Sequence, residues 1–247
     1  MQTTTTPPRL LADQQTEAFD VEYVIPQLWA LIEPHLEPRL ARPSRFLDVG
    51  GGNGIFTDRV LDAYPQAEGV IVEPSQTLRE RNLPRPSKTL VSGTFQGAAF
   101  DPRHRFDVIF FNWVLHHFVA DTYRQTQALQ LQGLIDARNL LAPDGILVIF
   151  ENYYPGLLID DLPSRLIYTL TASRLLKAFT QRLGANTAGV GVCFHSLHAW
   201  LNKVSQAGLT VEATHPGYRY GTLSPTKRLL LHMRNAEVGA IIARADA

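Results

Sequence analysis

The sequence predicts an α/β fold, a seven-stranded and mostly parallel sheet with helices on both faces. Short apolar runs rich in β-branched and aromatic residues alternate with helical stretches, a pattern typical of parallel strands buried between helices. A glycine-rich segment follows the first of these runs, at the strand end where parallel sheets bind ligands. The chain has 247 residues and is 45% hydrophobic, which suffices for one large domain or for one domain with an added subdomain.

The N-terminal region is predicted to lie outside the sheet. Residues 1–10 are rich in threonine and proline and predict a disordered arm. Residues 11–42 predict two short amphipathic helices divided near Pro26, whose apolar face would cap the main domain.

Residues 43–154 are predicted to form the core of the sheet. The runs FLDVG, GVIVE, TLVSG, FDVIFF and ILVIF are its strands, and the clearest helix, residues 121–141, ends at a Pro143-Asp144-Gly145 turn. This alternation predicts right-handed crossovers between parallel strands. The residues directly after each strand are therefore the candidates for function.

The strand pattern stops after residue 154. Residues 155–195 predict a helical insertion, whose apolar residues could cover the binding edge as a lid. A packing helix or an oligomer surface is the alternative interpretation. Residues 196–247 predict a helix, the strand LTVEAT, a helix opened by Ser224 and Pro225, and a last strand, EVGAIIA, which complete the sheet.

Composition excludes several classes of protein. Lys and Arg total 23, as do Asp and Glu, so the chain lacks the basic character expected of a nucleic-acid-binding protein. It shows no signal-peptide pattern and no apolar run of the ~20 residues that a membrane helix needs, so we expect a soluble, cytoplasmic protein without a membrane partner. The single cysteine, Cys193, excludes a disulfide framework within the chain.

The segment DVGGGNG, residues 48–54, is the most informative motif. It lacks the third glycine of G-x-G-x-x-G and the lysine of a P-loop, which argues against dinucleotides and nucleoside triphosphates. D-x-G-x-G-x-G behind a first strand resembles the cofactor loop of class I S-adenosylmethionine (SAM) dependent methyltransferases, best over residues 46–154. The resemblance implies a Rossmann-like sheet with its last strand antiparallel. It also implies that SAM approaches the backbone of Gly50, Gly52 and Gly54, with Asp48 near its ammonium group.

The ribose and adenine of SAM have candidate partners after the second and third strands. Glu73 ends GVIVE about 20 residues beyond the loop, where an acid accepts hydrogen bonds from ribose hydroxyls in related sheets. Many relatives carry an aspartate after the third strand that binds the adenine amino group, but Thr94 and Phe95 stand there in this sequence. We expect Thr94 to accept that hydrogen bond more weakly and Phe95 to pack on the ring.

The fourth strand is followed by Asn112 and Trp113, which we expect to line the cofactor cleft. Tyr23, in the N-terminal helices, would close over the methionine end. The adjacent His116 and His117 are interpreted as structural histidines, with a general base as the alternative, and no metal site is predicted.

The fifth strand is followed by the candidate catalytic residues. Asn152, Tyr153 and Tyr154 would face the sulfonium, because tyrosine rings attract a cation and an amide can orient a nucleophile. Packing under the insertion is the alternative role for the tyrosines. Tyr168 in the insertion and His195 at its end are further candidates.

Three functions remain open at this point. Methyl transfer from SAM to a small acceptor of secondary metabolism needs little from the protein beyond orientation. If the cleft has no room for an acceptor, the amine of SAM could attack its own γ-carbon, which gives azetidine-2-carboxylate and methylthioadenosine. The third function is a catalytically idle SAM-binding partner protein.

Overall fold

The sheet has the predicted architecture. A computed structural model describes residues 7–101, 105–182, 184–221 and 224–245 of the chain. Within these residues seven strands form one sheet in the order β3-β2-β1-β4-β5-β7-β6. They are β1 (Ser44–Val49), β2 (Ala67–Glu73), β3 (Lys88–Ser92), β4 (Phe106–Asn112), β5 (Leu141–Tyr153), β6 (Leu209–Arg219) and β7 (Glu237–Ala245). Strands β1 to β5 pair in parallel, and β7 lies antiparallel to β5 and β6, so the predicted fold class is confirmed.

The helices follow the predicted order. In the described residues they are α1 (Asp13–Thr16), α2 (Pro26–Leu40), α3 (Ile55–Ala63), α4 (Gln76–Arg81), α5 (Tyr123–Leu140), α6 (Leu162–Ala172), α7 (Lys177–Arg182), α8 (Leu197–Gln206) and α9 (Pro225–Leu230). Helix α2 begins at Pro26, whose fixed φ suits a first helical turn. The predicted insertion consists of α6, α7 and the loop that leads to α8. None of the described helices combines the length and the hydropathy that crossing a bilayer requires.

Two hydrophobic layers enclose the sheet, because successive strand residues point to opposite faces. Leu47, Ile109 and Leu147 belong to the layer that also contains buried residues of α5 and α8. Phe46, Phe110 and Phe150 belong to the opposite layer, with buried residues of α2 and α3. The two layers hold the strands rigidly, and the loops at the strand ends are free to form a site.

The strand order determines the position of that site. Strands β1 and β4 are neighbours at the middle of the sheet, and the chain runs from β1 to β2 on one side and from β4 to β5 on the other. In open α/β sheets ligands bind at this switch point. The glycine-rich segment after β1 lies there.

Candidate functional site

A cleft of ≈ 1660 Å³ opens at the switch point. Its floor contains the glycine loop after β1 and the residues that follow β2, β4 and β5. Residues of the N-terminal segment, the insertion and α9 form its walls. The cleft therefore combines the predicted cofactor edge of the sheet with the predicted cover.

The glycine loop adopts a conformation that side chains disfavour. Gly50, Gly52 and Gly54 have φ of +67°, +55° and +78°, in the left-handed region that glycine enters without a Cβ penalty. A Cβ on Gly50 would also lie 2.7 Å from Val114 Cγ2. Gly50 and Gly52 line the cleft with their backbone, which permits close approach of a ligand.

Glu73 fixes the loop from the end of β2. Its side chain is 5% exposed, and its two carboxylate oxygens accept hydrogen bonds from the Gly52 N–H at 3.1 Å and from the Ser75 N–H at 2.7 Å. Burial raises the pKa of Glu73, and these two backbone bonds partly offset that effect. The carboxylate lines the cleft and keeps further lone pairs for a ligand hydroxyl.

Asp48 is the second buried acid of the floor. Its Oδ2 accepts a hydrogen bond from Thr57 Oγ1 at 2.8 Å, and its Oδ1 has no partner. Burial raises the pKa of Asp48 to about 7, the Thr57 hydrogen bond opposes the shift, and the nearby carboxylates of Glu22 and Glu73 add to it. A cation in the cleft would stabilise the ionised form of this group.

Polar and aromatic groups surround the strand ends of β4 and β5. Trp113 has φ of +53° and donates its indole N–H to Asn152 Oδ1 at 3.0 Å. Its ring stacks on Phe150, 5.4 Å between centroids, and Tyr23 packs at 5.8 Å. Asn112 lines the cleft beside them. The residues predicted from the ends of β4 and β5 therefore lie side by side and form one wall of the cleft.

Unpaired buried polar atoms concentrate on the cleft. In the part of the chain that the structure describes, five of the eleven such side-chain atoms belong to cleft residues: Glu22 Oε2, Asp48 Oδ1, Gln96 Nε2 and both Asn112 Oδ1 and Nδ2. Buried polar atoms in folded proteins are nearly always hydrogen-bonded. This set therefore offers a polar ligand both donors and acceptors.

Comparison with known proteins identifies the family of this site. Residues 22–214 match the family described as the methyltransferase domain. The chain belongs to this family. The O-methyltransferase aclM of Aspergillus oryzae is 31% identical over 123 residues, which are 43% of this chain and 26% of that protein, so the alignment spans about a quarter of the relative.

Solved structures resemble the whole methyltransferase domain. An S-adenosylmethionine dependent methyltransferase from Mesorhizobium loti has a TM-score of 0.58 at 17% identity, with 88% of this chain and 97% of that chain covered. LepI in complex with SAM has a TM-score of 0.52 at 16% identity, with 92% and 49% covered. At these identities the likeness concerns the fold, and it agrees with the family match.

Several predicted site residues of this methyltransferase domain lie outside the cleft wall. Gly54 is the N-cap of α3, and a Cβ there would meet the Asn82 side chain at 2.5 Å. Its left-handed φ serves the turn into α3. Tyr153 does not line the cleft either. It points to the same face of β5 as Ile149, so its ring lies in the hydrophobic layer under α5 and α8.

Tyr168 and His195 are structural as well. Tyr168 is buried and donates its hydroxyl to the Ala120 carbonyl at 3.0 Å. His195 is fully buried, with Nδ1 2.7 Å from Asp161 Oδ2 and Nε2 2.9 Å from Gln130 Oε1. Both tie the insertion to the core. Neither of them lines the cleft, so the structure does not bring these two catalytic candidates together with the other predicted site residues.

The other predicted residues line the cleft. They are Asp48, Gly50, Gly52, Glu73, Thr94, Phe95, Asn112, Trp113, Tyr23, Asn152 and Tyr154. The Thr94 hydroxyl accepts the Gly97 N–H at 3.2 Å as a helix cap, and Tyr154 pairs its hydroxyl with that of Tyr220 at 2.5 Å. The structure therefore brings together eleven residues that the sequence analysis drew from separate segments.

Sequence analysis interpreted His116 as structural, with a general base as the alternative, and missed its contact with the carboxyl group of Glu151. His116 and His117 both line the cleft, and their rings lie 4.2 Å apart. Adjacent residues on an α-helix diverge, but Leu115–His117 is a 3₁₀ turn. Glu151 is fully buried, and its Oε2 lies 2.7 Å from His116 Nδ1. The sequence did contain a clue to this pair, because an acid near the end of β5 and a histidine just after β4 are both expected at the same edge of the sheet.

The N-terminal segment closes one side of the cleft. Residues 1–6 of the predicted disordered arm lie outside the described residues, and residues 8–11 contribute to the cleft wall. Arg9 donates its backbone N–H to Val119 O at 2.7 Å and its guanidinium to Ala172 O at 3.3 Å and Gly189 O at 2.5 Å. These bonds correct the prediction of disorder for this part of the arm.

The insertion covers the cleft only in part. Leu166, Ile167, Leu170 and Phe179 line it, as the lid interpretation expects. Leu175, predicted to belong to the same apolar cover, is 97% exposed. The helices α6 and α7 thus contribute one inner face to the site and present the rest to solvent.

Proposed function

We propose that this domain binds SAM in the cleft and transfers its methyl group to a small-molecule acceptor. The observation that carries the proposal is the set of five unpaired buried polar atoms beside a glycine loop in left-handed conformation. A ligand with several polar groups would satisfy those atoms, and SAM presents an amino acid, a ribose and an adenine. The family match supplies the reaction class.

The floor of the cleft fits the ribose and the amino acid. Glu73 would accept hydrogen bonds from the ribose hydroxyls while it keeps its bonds to the Gly52 and Ser75 N–H groups. Asp48 Oδ1 and Glu22 Oε2, two acceptors without partners, would face the ammonium group. The two buried carboxyl groups of Asp48 and Glu73, together with the half-buried Glu22, favour a ligand that carries positive charge.

Donors and a hydrophobic face are available for the adenine. Gln96 Nε2 is a buried donor without a partner, and it lines the cleft next to Phe95. Phe95 is mostly packed against Phe111, 5.6 Å between ring centroids, so only part of its ring would contact the base. Gln96 Nε2 would therefore donate to a ring nitrogen of the adenine, which is a different contact from the one that the missing acid would make. The Thr94 hydroxyl, which already accepts the Gly97 N–H, remains the candidate acceptor for the adenine amino group.

The strand ends of β4 and β5 would surround the sulfonium. When bound, SAM supplies an activated methyl group with a neutral thioether as leaving group. The rings of Trp113, Tyr23 and Tyr154 line this part of the cleft, and aromatic faces attract a cation by roughly 0.5–2 kcal/mol. Because Asn152 is already held by the Trp113 indole, its amide is fixed for orienting an acceptor.

The size of the cleft favours methyl transfer over cyclisation of SAM. Single small-molecule sites have volumes of about 300–1000 Å³, whereas this cleft has ≈ 1660 Å³. The additional space, bounded by Leu166, Leu170 and Leu230, suits an acceptor with an apolar body. Cyclisation would need no such compartment.

Incubation with SAM followed by mass spectrometry tests the proposal. We expect S-adenosylhomocysteine only when a small acceptor is present, and unchanged SAM in its absence. Methylthioadenosine with azetidine-2-carboxylate from SAM alone would establish cyclisation instead. Tight SAM binding by calorimetry without either product, over a broad acceptor panel, would indicate the idle partner protein.

A further inference from the structure

The charge of the chain is divided unevenly along its length. Residues 162–236 contain nine Lys and Arg residues and one acid, Glu212, whereas the rest of the chain contains 14 Lys and Arg residues and 22 acids. The zero net charge, from which we expected no membrane partner, is therefore the sum of a basic part and an acidic part. The basic part includes α6, α7 and α9, which contribute to the walls of the cleft.

Most bases of this part are exposed to solvent. They include Arg174, Lys177, Arg182, Lys227 and Arg228. Within the residues that the structure describes, no ion pair includes any of these five side chains. Their charges are therefore available to an external anionic surface.

Protruding apolar side chains accompany these bases. Among the described residues, five of the six most exposed large apolar side chains belong to the loop between β5 and α6, the turn between α6 and α7, and α9. They are Leu158, Ile159, Leu175, Leu229 and Leu230, and they are between 63% and 97% exposed. Exposed apolar side chains that cluster, rather than occur singly, mark a surface that another molecule or a membrane covers.

Two short segments repeat the same sequence pattern. Residues 174–177 read RLLK and lead into α7, and residues 227–230 read KRLL within α9. Helix α9 buries none of its residues, and α7 buries only Thr180. A helix of leucines and bases that packs on so little of its own domain is typical of segments that lie in the plane of a bilayer interface.

Backbone contacts hold these segments on one side of the molecule. The Leu157 N–H donates to the His232 carbonyl at 2.9 Å, which joins the loop before α6 to the residues after α9. Phe179 of α7 and Leu230 of α9 line the same cleft. The apolar and basic residues therefore lie around the mouth of the cleft.

We propose that this surface, made up of the β5–α6 loop, the α6–α7 turn, α7 and α9, docks on an anionic lipid bilayer. The leucines would enter the boundary between the headgroups and the acyl chains, and the bases would contact the lipid phosphates. Docking would place the mouth of the cleft at the headgroup region. This inference does not depend on the reaction that the cleft performs.

Charge and exposure together favour a bilayer over the other occupants. A second copy in a two-fold dimer would place one basic surface against another. A nucleic acid would match the bases but leave the leucines in water. An acidic protein would need a complementary pocket for each of three separate segments, whereas fluid lipid accepts protruding side chains at any spacing.

Sedimentation with lipid vesicles is the first test. The probes are vesicles of phosphatidylcholine alone and vesicles in which about one third of the lipid is phosphatidylglycerol. We expect the protein to sediment with the anionic vesicles at low salt and much less at high salt, because salt screens the bases. We expect little sedimentation with phosphatidylcholine alone.

Two double variants separate the contribution of the bases from that of the leucines. Arg174→Gln with Arg228→Gln should weaken binding to the anionic vesicles by roughly fivefold for each base. Leu175→Asn with Leu229→Asn should weaken it by at least about tenfold, because two inserted apolar side chains are lost. None of these four residues lines the cleft, so SAM affinity and thermal unfolding should match wild type.

Matched controls change the same residue types elsewhere on the surface. Leu83 is 72% exposed and lies in the loop after α4. Arg105 is exposed and lies directly before β4, at the edge of the sheet opposite the cleft. We expect Leu83→Asn and Arg105→Gln to bind the anionic vesicles as the wild type does.

A fluorescent label tests whether the leucines enter the lipid. The single cysteine of the chain, Cys193, is buried, so a polarity-sensitive dye will react selectively with an introduced exposed cysteine. In Leu175→Cys its emission should shift to shorter wavelength when anionic vesicles are added. In Leu83→Cys the emission should stay unchanged.

Several results would overturn this inference. One is the absence of binding to anionic vesicles, and another is binding that neither double variant weakens. An unshifted emission from the label at position 175 would show that the leucines stay in water. Binding of poly-L-glutamate without binding of vesicles would assign the surface to an acidic protein, and a dimer that Leu175→Asn dissociates, again without vesicle binding, would assign it to a second copy.

Discussion

Replacement of Glu73 with alanine tests the central contact of the proposed cofactor site. The Glu73 carboxylate is 5% exposed and spends one lone pair on the Gly52 N–H and one on the Ser75 N–H. The lone pairs that remain would accept ribose hydroxyls. Hydrogen bonds to a charged group contribute about 1.5–3 kcal/mol each, less the cost of desolvation. We therefore expect Glu73→Ala to weaken SAM binding by about 1–3 kcal/mol, or roughly 5- to 150-fold in Kd.

Titration calorimetry with SAM measures this effect, and two further variants show its origin. Glu80→Ala removes an exposed carboxylate from the neighbouring helix α4, where Glu80 accepts a hydrogen bond from Gln76, so the affinity of this variant should match wild type. Glu73→Gln retains an acceptor for one loop N–H and should give an intermediate loss. Because the alanine variant also leaves two N–H groups unpaired, thermal unfolding must confirm that it is folded at the assay temperature. A folded Glu73→Ala protein with wild-type affinity would refute the ribose assignment.

Four other substitutions test separate parts of the site. Asn112→Leu should raise the free energy of unfolding of the ligand-free protein by about 1–3 kcal/mol, because it removes two unpaired buried atoms. It should also weaken SAM binding. Denaturant titration should therefore show a more stable protein, and calorimetry a lower affinity for SAM. Burial raises the pKa of Asp48 to about 7, so the free energy of unfolding should fall by up to about 4 kcal/mol as the pH rises from about 4 to 7 and change little above that. Asp48→Asn should remove this fall. If the variant shows the same pH dependence as wild type, Asp48 is not the buried group responsible. Gly50→Ala should destabilise the fold by at least about 1–2 kcal/mol, since its φ is +67° and Val114 Cγ2 lies 2.7 Å from the added Cβ, which thermal melts would detect. Arg9→Ala, which loses the bonds to Ala172 O and Gly189 O, should speed SAM dissociation by roughly fivefold in stopped-flow measurements, about 1 kcal/mol for a part-exposed anchor; an unchanged rate would mean that the N-terminal segment does not retain the cofactor.

The opposite signs expected for Asn112 and Gly50 reflect two ways in which a site differs from a core. Asn112 has two buried atoms without partners, so we expect it to lower the stability of the ligand-free fold and to be satisfied by a ligand. Gly50 contributes no contact of its own, but its backbone conformation creates the space in which a ligand can approach. A site of this kind is therefore recognised by unpaired atoms and by left-handed glycines together.

Local periodicity explains what sequence analysis predicted well. A strand buried on both faces needs a continuous apolar run, and a left-handed turn needs glycine, so Phe46 to Gly52 can be interpreted without any knowledge of distant residues. The same holds for the start of α9 at Ser224 and Pro225, where Ser224 caps the Lys227 N–H at 3.2 Å. Glu73 was found because an acid at a strand end is fixed in position by the strand itself.

Side-chain direction beyond a strand end was predicted less well. Tyr153 and Tyr154 are neighbours in sequence, yet one points into the core and the other lines the cleft. Side chains alternate between the two faces of a strand, so Tyr153 is expected on the same face as Ile149, which is buried in the core. Tyr168 and His195 could not be assigned in this way, because the direction of a side chain in the insertion depends on the surface that the insertion packs against.

The sequence by itself determined the order of the strands and helices along the chain, the glycine loop, the acid at the end of β2 and the family, since each depends on residues close together in the chain. Only the tertiary structure decided which groups meet across the cleft. His116 and Glu151 are 35 residues apart, and they touch because β4 and β5 are adjacent parallel strands whose carboxyl ends lie at one edge. Contacts of that kind depend on strand register and on a 3₁₀ turn, neither of which leaves a local mark in the sequence.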